Sequence, residues 1–416
     1  MTLPSRLAAV LGSLTIIAAG AACAPADDAA DAAATAAQSV GQPADGTVPS
    51  YDSGAVAANI VTASLRVREG EAVLITGSPR DQQLLEDLAV QVRRQGAYPL
   101  VRMATDRMRR RLVVDVPEQY DTQDPFGVTM AEVFDVMIEV ENGEDPALLA
   151  DVPPERLALR AQRDTDVETA LRENGVRLLH VGNGMYPTAA QAGEAGMSES
   201  ELATMFWKAV NTDPALIDAE GRRIRAMLEG GNEVRVTAPN GTDLTLRIAN
   251  PTILISDGAI SPEEEAMGGP SNTAWLPGGE LYFAPAPGSA TGTVVIDPFE
   301  YDGVPVEGLK LTLENGRMTS MDAAAGLETV RRDFDAAADG KDRFGAFDIG
   351  LNPNVTVAPG SRFRSWVAAG MVTVGIGNDS WAGGANMVPY GLYGHIAGAT
   401  VTVDGRPVVE NGRLVR

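Results

Sequence analysis

The strongest constraint on how this chain folds is a change of pattern at Gly230-Gly231. Upstream, short apolar runs alternate with helical periodicity. The run Glu71-Ala-Val-Leu-Ile-Thr76 is stopped by Gly77-Ser78-Pro79, after which Leu84, Leu85, Leu88 and Val92 recur at helical spacing up to Gly96. Further apolar runs follow at residues 97–103, 134–140 and 176–181, and residues 201–229 are helix-rich with a break near Pro214. Strands alternating with helices predict a parallel sheet covered on both faces, because parallel neighbours need a crossover that returns the chain to the same end. Downstream, residues 233–248 alternate apolar and polar around Asn240-Gly241, and Asn315-Gly316 and Asp404-Gly405 repeat the signal. Such pairs tolerate the positive φ angles of a tight hairpin, so this half predicts a mostly antiparallel sheet or open barrel, with residues 323–338 as its one clear helix. The expected fold class is α/β: a parallel-sheet domain over residues 51–231, then a mostly antiparallel, β-rich α+β domain over 232–416.

The N-terminus carries a different message. Arg6 is the only charged residue before an apolar run from Leu7 to Ile17 and a small-residue stretch Ala18-Ala19-Gly20-Ala21-Ala22. Residues 1–22 read as a removable secretory signal, since the apolar core is shorter than the ~20 residues of a bilayer span. Cys23, the only cysteine, falls where a lipoprotein signal peptidase leaves a new N-terminus; Gly20, where leucine is usual, leaves ordinary cleavage and periplasmic release open. A lipid on Cys23 tethers a protein without spanning, so membrane contact is expected through that anchor only. Residues 24–50 have almost no large apolar side chain and read as a flexible linker, which makes 23–50 a lipid-anchored tether. The expected location is the cell envelope, as an outer-membrane lipoprotein or in the periplasm. With 33 basic against 56 acidic residues and no basic run with interleaved aromatics, the chain is not expected to bind nucleic acid.

Three motifs in the second half carry a family resemblance. They are Leu276-Pro-Gly-Gly-Glu-Leu-Tyr-Phe-Ala-Pro285 with Gly292-Thr-Val-Val-Ile-Asp297, then Phe344-Gly-Ala-Phe-Asp-Ile-Gly-Leu-Asn-Pro353, then Gly383-Gly-Ala-Asn386 through Val403-Asp-Gly405. Together they resemble the aminopeptidase T family of metallopeptidases, and the likeness extends over Ala57-Ala-Asn-Ile60 to Gly70 and Val73-Leu-Ile75. The resemblance implies a Rossmann-like first domain, a metal-bearing second domain that removes N-terminal residues from peptides, and a homodimer.

Position by position, the resemblance places a metal-binding glutamate at Glu280, whose setting is intact. A second family glutamate falls on Ala346, after Gly345. A family histidine falls on Thr373, and a His-x-Asp pair falls on Gly391 and Tyr393. A metal pair needs about three protein ligands for each ion, plus water. With only His180 and His395 as histidines, the expectation is at most one divalent ion, such as zinc or cobalt, held by Glu280, Asp348 and His395. The alternative is that Asp348 and Asp379 are solvated turn carboxylates, that His395 packs beside Tyr393, and that Glu280 is a structural hydrogen-bonding group.

Elsewhere the chemistry is thin. His180 ends an apolar run before Val181-Gly-Asn-Gly184, where strand ends of open α/β sheets meet ligands, but one histidine there also serves structure. No Gly-x-Ser-x-Gly elbow or phosphate loop occurs, and Ser380 reads as a loop residue. Glu263-Glu-Glu265 reads as a solvated acidic run. Two functions follow: an exported aminopeptidase with a remodelled metal site and no assigned catalytic base, or a non-catalytic envelope lipoprotein. The latter would keep the fold and bind a peptide, a small molecule or another envelope component in a cleft lined by Trp275, Tyr282 or Trp381.

Overall fold

The computed structural model describes residues 51–141, 148–149, 151–248, 252–357, 361–363 and 365–416, with the backbone alone for Pro154 and Ala158. The signal at 1–22, Cys23 and the tether to residue 50 lie outside the described residues.

The first half is the expected parallel sheet. Its five strands lie in the order Tyr98–Met103, Ala72–Gly77, Val136–Val140, Arg177–Val181 and Thr273–Leu276, and every neighbouring pair is parallel. The helix Gln82–Arg94 buries Leu84, Leu85, Leu88 and Val92, the four residues whose spacing marked it. They join Val73, Ile75, Ile138, Val140, Leu179 and Val181 of the sheet in one core. The fifth strand comes from beyond Gly231, and Val355, Phe363, Val367 and Met371 enter the same core. The two halves of the chain are therefore interleaved in space.

The second half is antiparallel. An eight-stranded sheet runs in the order Arg317–Asp322, Lys310–Glu314, Thr291–Val295, Asp243–Arg247, Glu233–Thr237, Thr400–Val403, Arg406–Glu410 and Arg413–Leu414. A five-stranded sheet runs Gly391–Ile396, Val372–Gly377, Phe344–Gly350, Glu280–Phe283 and Leu254–Ser256. Apolar residues of both sheets share a second core with Ile217, Ile224 and Leu228 of the helix Pro214–Glu229. Asn315-Gly316 and Asp404-Gly405 both have positive φ at each residue, as the tightest hairpins require, and Asp302-Gly303 and Asn411-Gly412 do the same. Asn240-Gly241 differs: only Gly241 has positive φ, and Asn240 Oδ1 accepts the Thr242 N–H at 3.1 Å in a wider loop. The expected helix at 323–338 is shorter, Leu327–Ala336, because Ala325 bridges to Glu307 before it starts. Among the described residues no helix is long and apolar enough to cross a membrane.

Candidate functional site

Side chains alternate across a strand, and this alternation splits the five-stranded sheet into two unlike faces. Leu281, Phe283, Phe347, Ile349, Val374 and Ile376 enter the second core. Glu280, Tyr282, Asp348, Thr373, Tyr393 and His395 occupy the alternate positions, on the other face. The register pairs Tyr282 with Asp348, Asp348 with Thr373, and Thr373 with His395, so four strands contribute one continuous row. Ala346, Gly375 and Tyr393 form the next row, and Glu280 lies opposite Gly350.

The row is sealed. Asp348, Thr373, Glu280 and His395 are 0%, 1%, 2% and 7% exposed. Thr373 Oγ1 and His395 Nδ1 are 2.7 Å apart, and Trp366 meets the imidazole edge-on at 5.5 Å between centroids. Trp381 Nε1 donates to Tyr393 Oη at 3.0 Å, which in turn donates to the carbonyl oxygen of Asn378 at 2.5 Å. Trp366 and Trp381 stand perpendicular at 5.9 Å, and Trp381 also meets Tyr282 at 5.2 Å. The Tyr393 ring lies across Gly391, where an added Cβ would fall 2.5 Å from Tyr393 Cε2. A narrow cleft lined by Ile296, Asp297, Phe299, Phe363, Tyr393 and His395 adjoins this cluster.

The sequence profile of the thermophilic metalloprotease family, M29, matches residues 54–354. The chain belongs to this family. Among solved structures, wild-type AmpT from Thermus thermophilus is similar with a TM-score of 0.66 and 21% identity, over 88% of this chain and 99% of that one. The 2,5-dihydroxypyridine dioxygenase of Pseudomonas putida KT2440 shares the fold at a TM-score of 0.51 and 15% identity, over 87% of this chain and 96% of that one. No curated protein matches. The M29 profile stops at Asn354, before the two strands that carry Thr373, Tyr393 and His395.

M29 proteins are metalloproteases, so the residues can be tested against a metal. Of the positions to which the resemblance assigns ligands, Glu280 alone offers a carboxylate. Ala346 and Thr373 present a methyl and a hydroxyl, Gly391 is bare backbone, and Tyr393 is the ring that covers it. Asp348 and His395 do share the face with Glu280, but Thr373 stands between them; adjacent antiparallel partners lie about 5 Å apart at Cα, which leaves those two about 10 Å apart. Among the described residues no group of three or more His, Cys, Asp or Glu side chains is gathered closely enough to hold an ion. The residues present do not fit a metal pair.

The remaining candidates resolve individually. Asp379 ties down its own loop: its carboxylate accepts the Asn386 N–H at 2.6 Å, and burial pushes its pKa up. Ser380 Oγ donates to Asn378 Oδ1 at 2.8 Å. Glu265 belongs to the capped helix Pro262–Met267 and pairs with Arg68 and Arg177. Of the aromatic residues expected to line a cleft, Tyr282 and Trp381 belong to this cluster, whereas Trp275 stacks on His180 in the parallel sheet. Trp366, which carries no motif or periodic signal in the sequence, is the cluster member that sequence reasoning missed.

Proposed function

We propose that this protein is an M29-family member that has lost metal-dependent hydrolysis and binds peptides without turnover. The observation that carries the reading is the Tyr393 ring lying across Gly391: an aromatic side chain, itself fixed by Trp381 and Asn378, takes the space that the resemblance gives to a metal-binding histidine. Peptide as the ligand class is supported by the family.

The test uses the chain without residues 1–22 and with Cys23→Ser, incubated with zinc or cobalt and then freed of loose ions. The expected result is no stoichiometric ion, no release of N-terminal residues from leucine- and alanine-headed peptides, and a saturable change in tryptophan fluorescence on adding those peptides. No fluorescence change at any peptide concentration would remove the binding reading.

A second reading has one observation in its favour, the shared buried face of Glu280, Asp348 and His395. There a single ion would polarise the scissile carbonyl. One tightly held ion that is lost in Glu280→Ala, together with peptide hydrolysis, would establish this reading and overturn the first. From the signal-like residues 1–22 and Cys23 we also propose a location in the cell envelope, as a lipid-anchored protein. Metabolic labelling with a radioactive fatty acid, abolished by Cys23→Ser, is the expected outcome there.

A further inference from the structure

A cleft of about 570 Å³ opens between the outermost strand of the eight-stranded sheet, Arg317–Asp322, the helix Leu327–Ala336, and residues 339–343. Met318, Met321 and Phe334 give it apolar walls, and Arg317, Arg331, Lys341 and Arg343 line it with cations. That concentration is unusual for a chain whose formal charge is −23 and which has only three lysines.

How these cations are held matters. Arg317 is neutralised by Asp342 at 2.7 Å. Arg331 instead donates to the carbonyl oxygen of Met321 at 2.6 Å. Lys341 donates to the carbonyl oxygen of Asp335 at 3.0 Å and lies 4.9 Å from the centre of the Phe334 ring. Carbonyl oxygens orient a cation without cancelling its charge, so Arg331 and Lys341 keep theirs, and with Arg317 and Arg343 the cations of the lining outnumber its carboxylates, Asp339 and Asp342. Guanidinium forks match the paired oxygens of a carboxylate or phosphate, and the thioether and phenyl walls suit an apolar group beside that head.

We propose that this cleft binds a small oxyanion, carboxylate or phosphate, that carries an apolar substituent. The site is separate from the peptide reading above and does not depend on it.

Titration calorimetry of the same soluble chain tests it with four probes: N-acetyl-leucine, phenyl phosphate, inorganic phosphate and the neutral N-acetyl-leucine amide. One saturable site for N-acetyl-leucine or phenyl phosphate is expected, weaker for inorganic phosphate, undetectable for the amide, and weakened by added salt. The better of the two apolar anions identifies the head group. The pair Arg331→Gln and Arg343→Gln should weaken binding roughly tenfold or more with an unchanged melting temperature. In a separate readout, the ligand should protect Lys341 from acylation while leaving Lys208 and Lys310 reactive. The proposal is overturned by no saturable binding of either apolar anion, by equal binding of the amide, or by full affinity in the double variant.

Discussion

Two cross-strand rows in this molecule each combine a histidine with acidic and aromatic side chains, and they behave differently. In the parallel sheet, Arg102, Thr76, Glu139, His180 and Trp275 pair in register from strand to strand. There His180 Nδ1 meets a Glu139 oxygen at 3.1 Å, and its ring stacks on Trp275 at 4.3 Å. The Glu139 side chain is 46% exposed, within reach of solvent. In the antiparallel sheet, Tyr282, Asp348, Thr373 and His395 form the equivalent row under Trp366, Trp381 and Tyr393, and polar groups there have to be satisfied from within the protein. The difference teaches that a histidine and a carboxylate sharing a row do not define a site; what covers the row decides its chemistry and its tolerance to change.

The comparison can be broken by mutation. Trp381 is buried at the centre of the aromatic cover, so Trp381→Ala should cost about 3–5 kcal/mol in urea unfolding. A loss near zero would mean that the cover does not hold the row closed. Gly391→His, which puts a histidine where the resemblance expects one, should cost about 1–3 kcal/mol because its Cβ meets the Tyr393 ring. Adding Tyr393→Asp should recover much of that loss in a double-mutant cycle, and additive losses would acquit the ring.

Thr373→Val removes the hydroxyl partner of a buried imidazole nitrogen and should cost about 1–3 kcal/mol by the same measurement. His180→Ala, in the wetter row, should cost only about 1 kcal/mol. If His180→Ala proves the more damaging of the two, the contrast between the rows is reversed.

A further test concerns pH. Glu141, at the end of the strand that carries Glu139, has its pKa raised from 4.5 to about 7, by burial first and the Glu139 charge second. A carboxyl whose folded pKa lies above its unfolded value contributes stability that is complete below about pH 4.5 and lost as pH rises through 7. Glu141→Gln should therefore flatten the stability profile across that window, by a difference of up to about 3 kcal/mol. Parallel profiles for both proteins would show that Glu141 titrates normally.

Much of this architecture was legible in one dimension. The helical spacing of Leu84, Leu85, Leu88 and Val92 and the Asn-Gly and Asp-Gly pairs are local signals, because helix periodicity and turn geometry are properties of a few consecutive residues. The strand Thr273–Leu276 was not legible as a member of the first sheet. A four-residue apolar strand carries no mark of its partner, and its pairing with Arg177–Val181 is a contact across the sequence boundary at Gly231. Asp302-Gly303 and Asn411-Gly412 carry the same local turn chemistry.

The candidate site divides along the same line. Sequence by itself determined the family likeness, and with it the expectation that Glu280 keeps its setting while Ala346, Thr373, Gly391 and Tyr393 stand where the resemblance puts the other ligands. The period of two placed Asp348 with Ala346, and His395 with Tyr393, on one side of their strands. Only the tertiary structure decided the register that aligns Asp348, Thr373 and His395, and the closure of that face by Trp366, Trp381 and Tyr393. Alternation along a strand is fixed by the backbone of that strand, whereas register and cover depend on how separate segments pack, which no short stretch of sequence encodes.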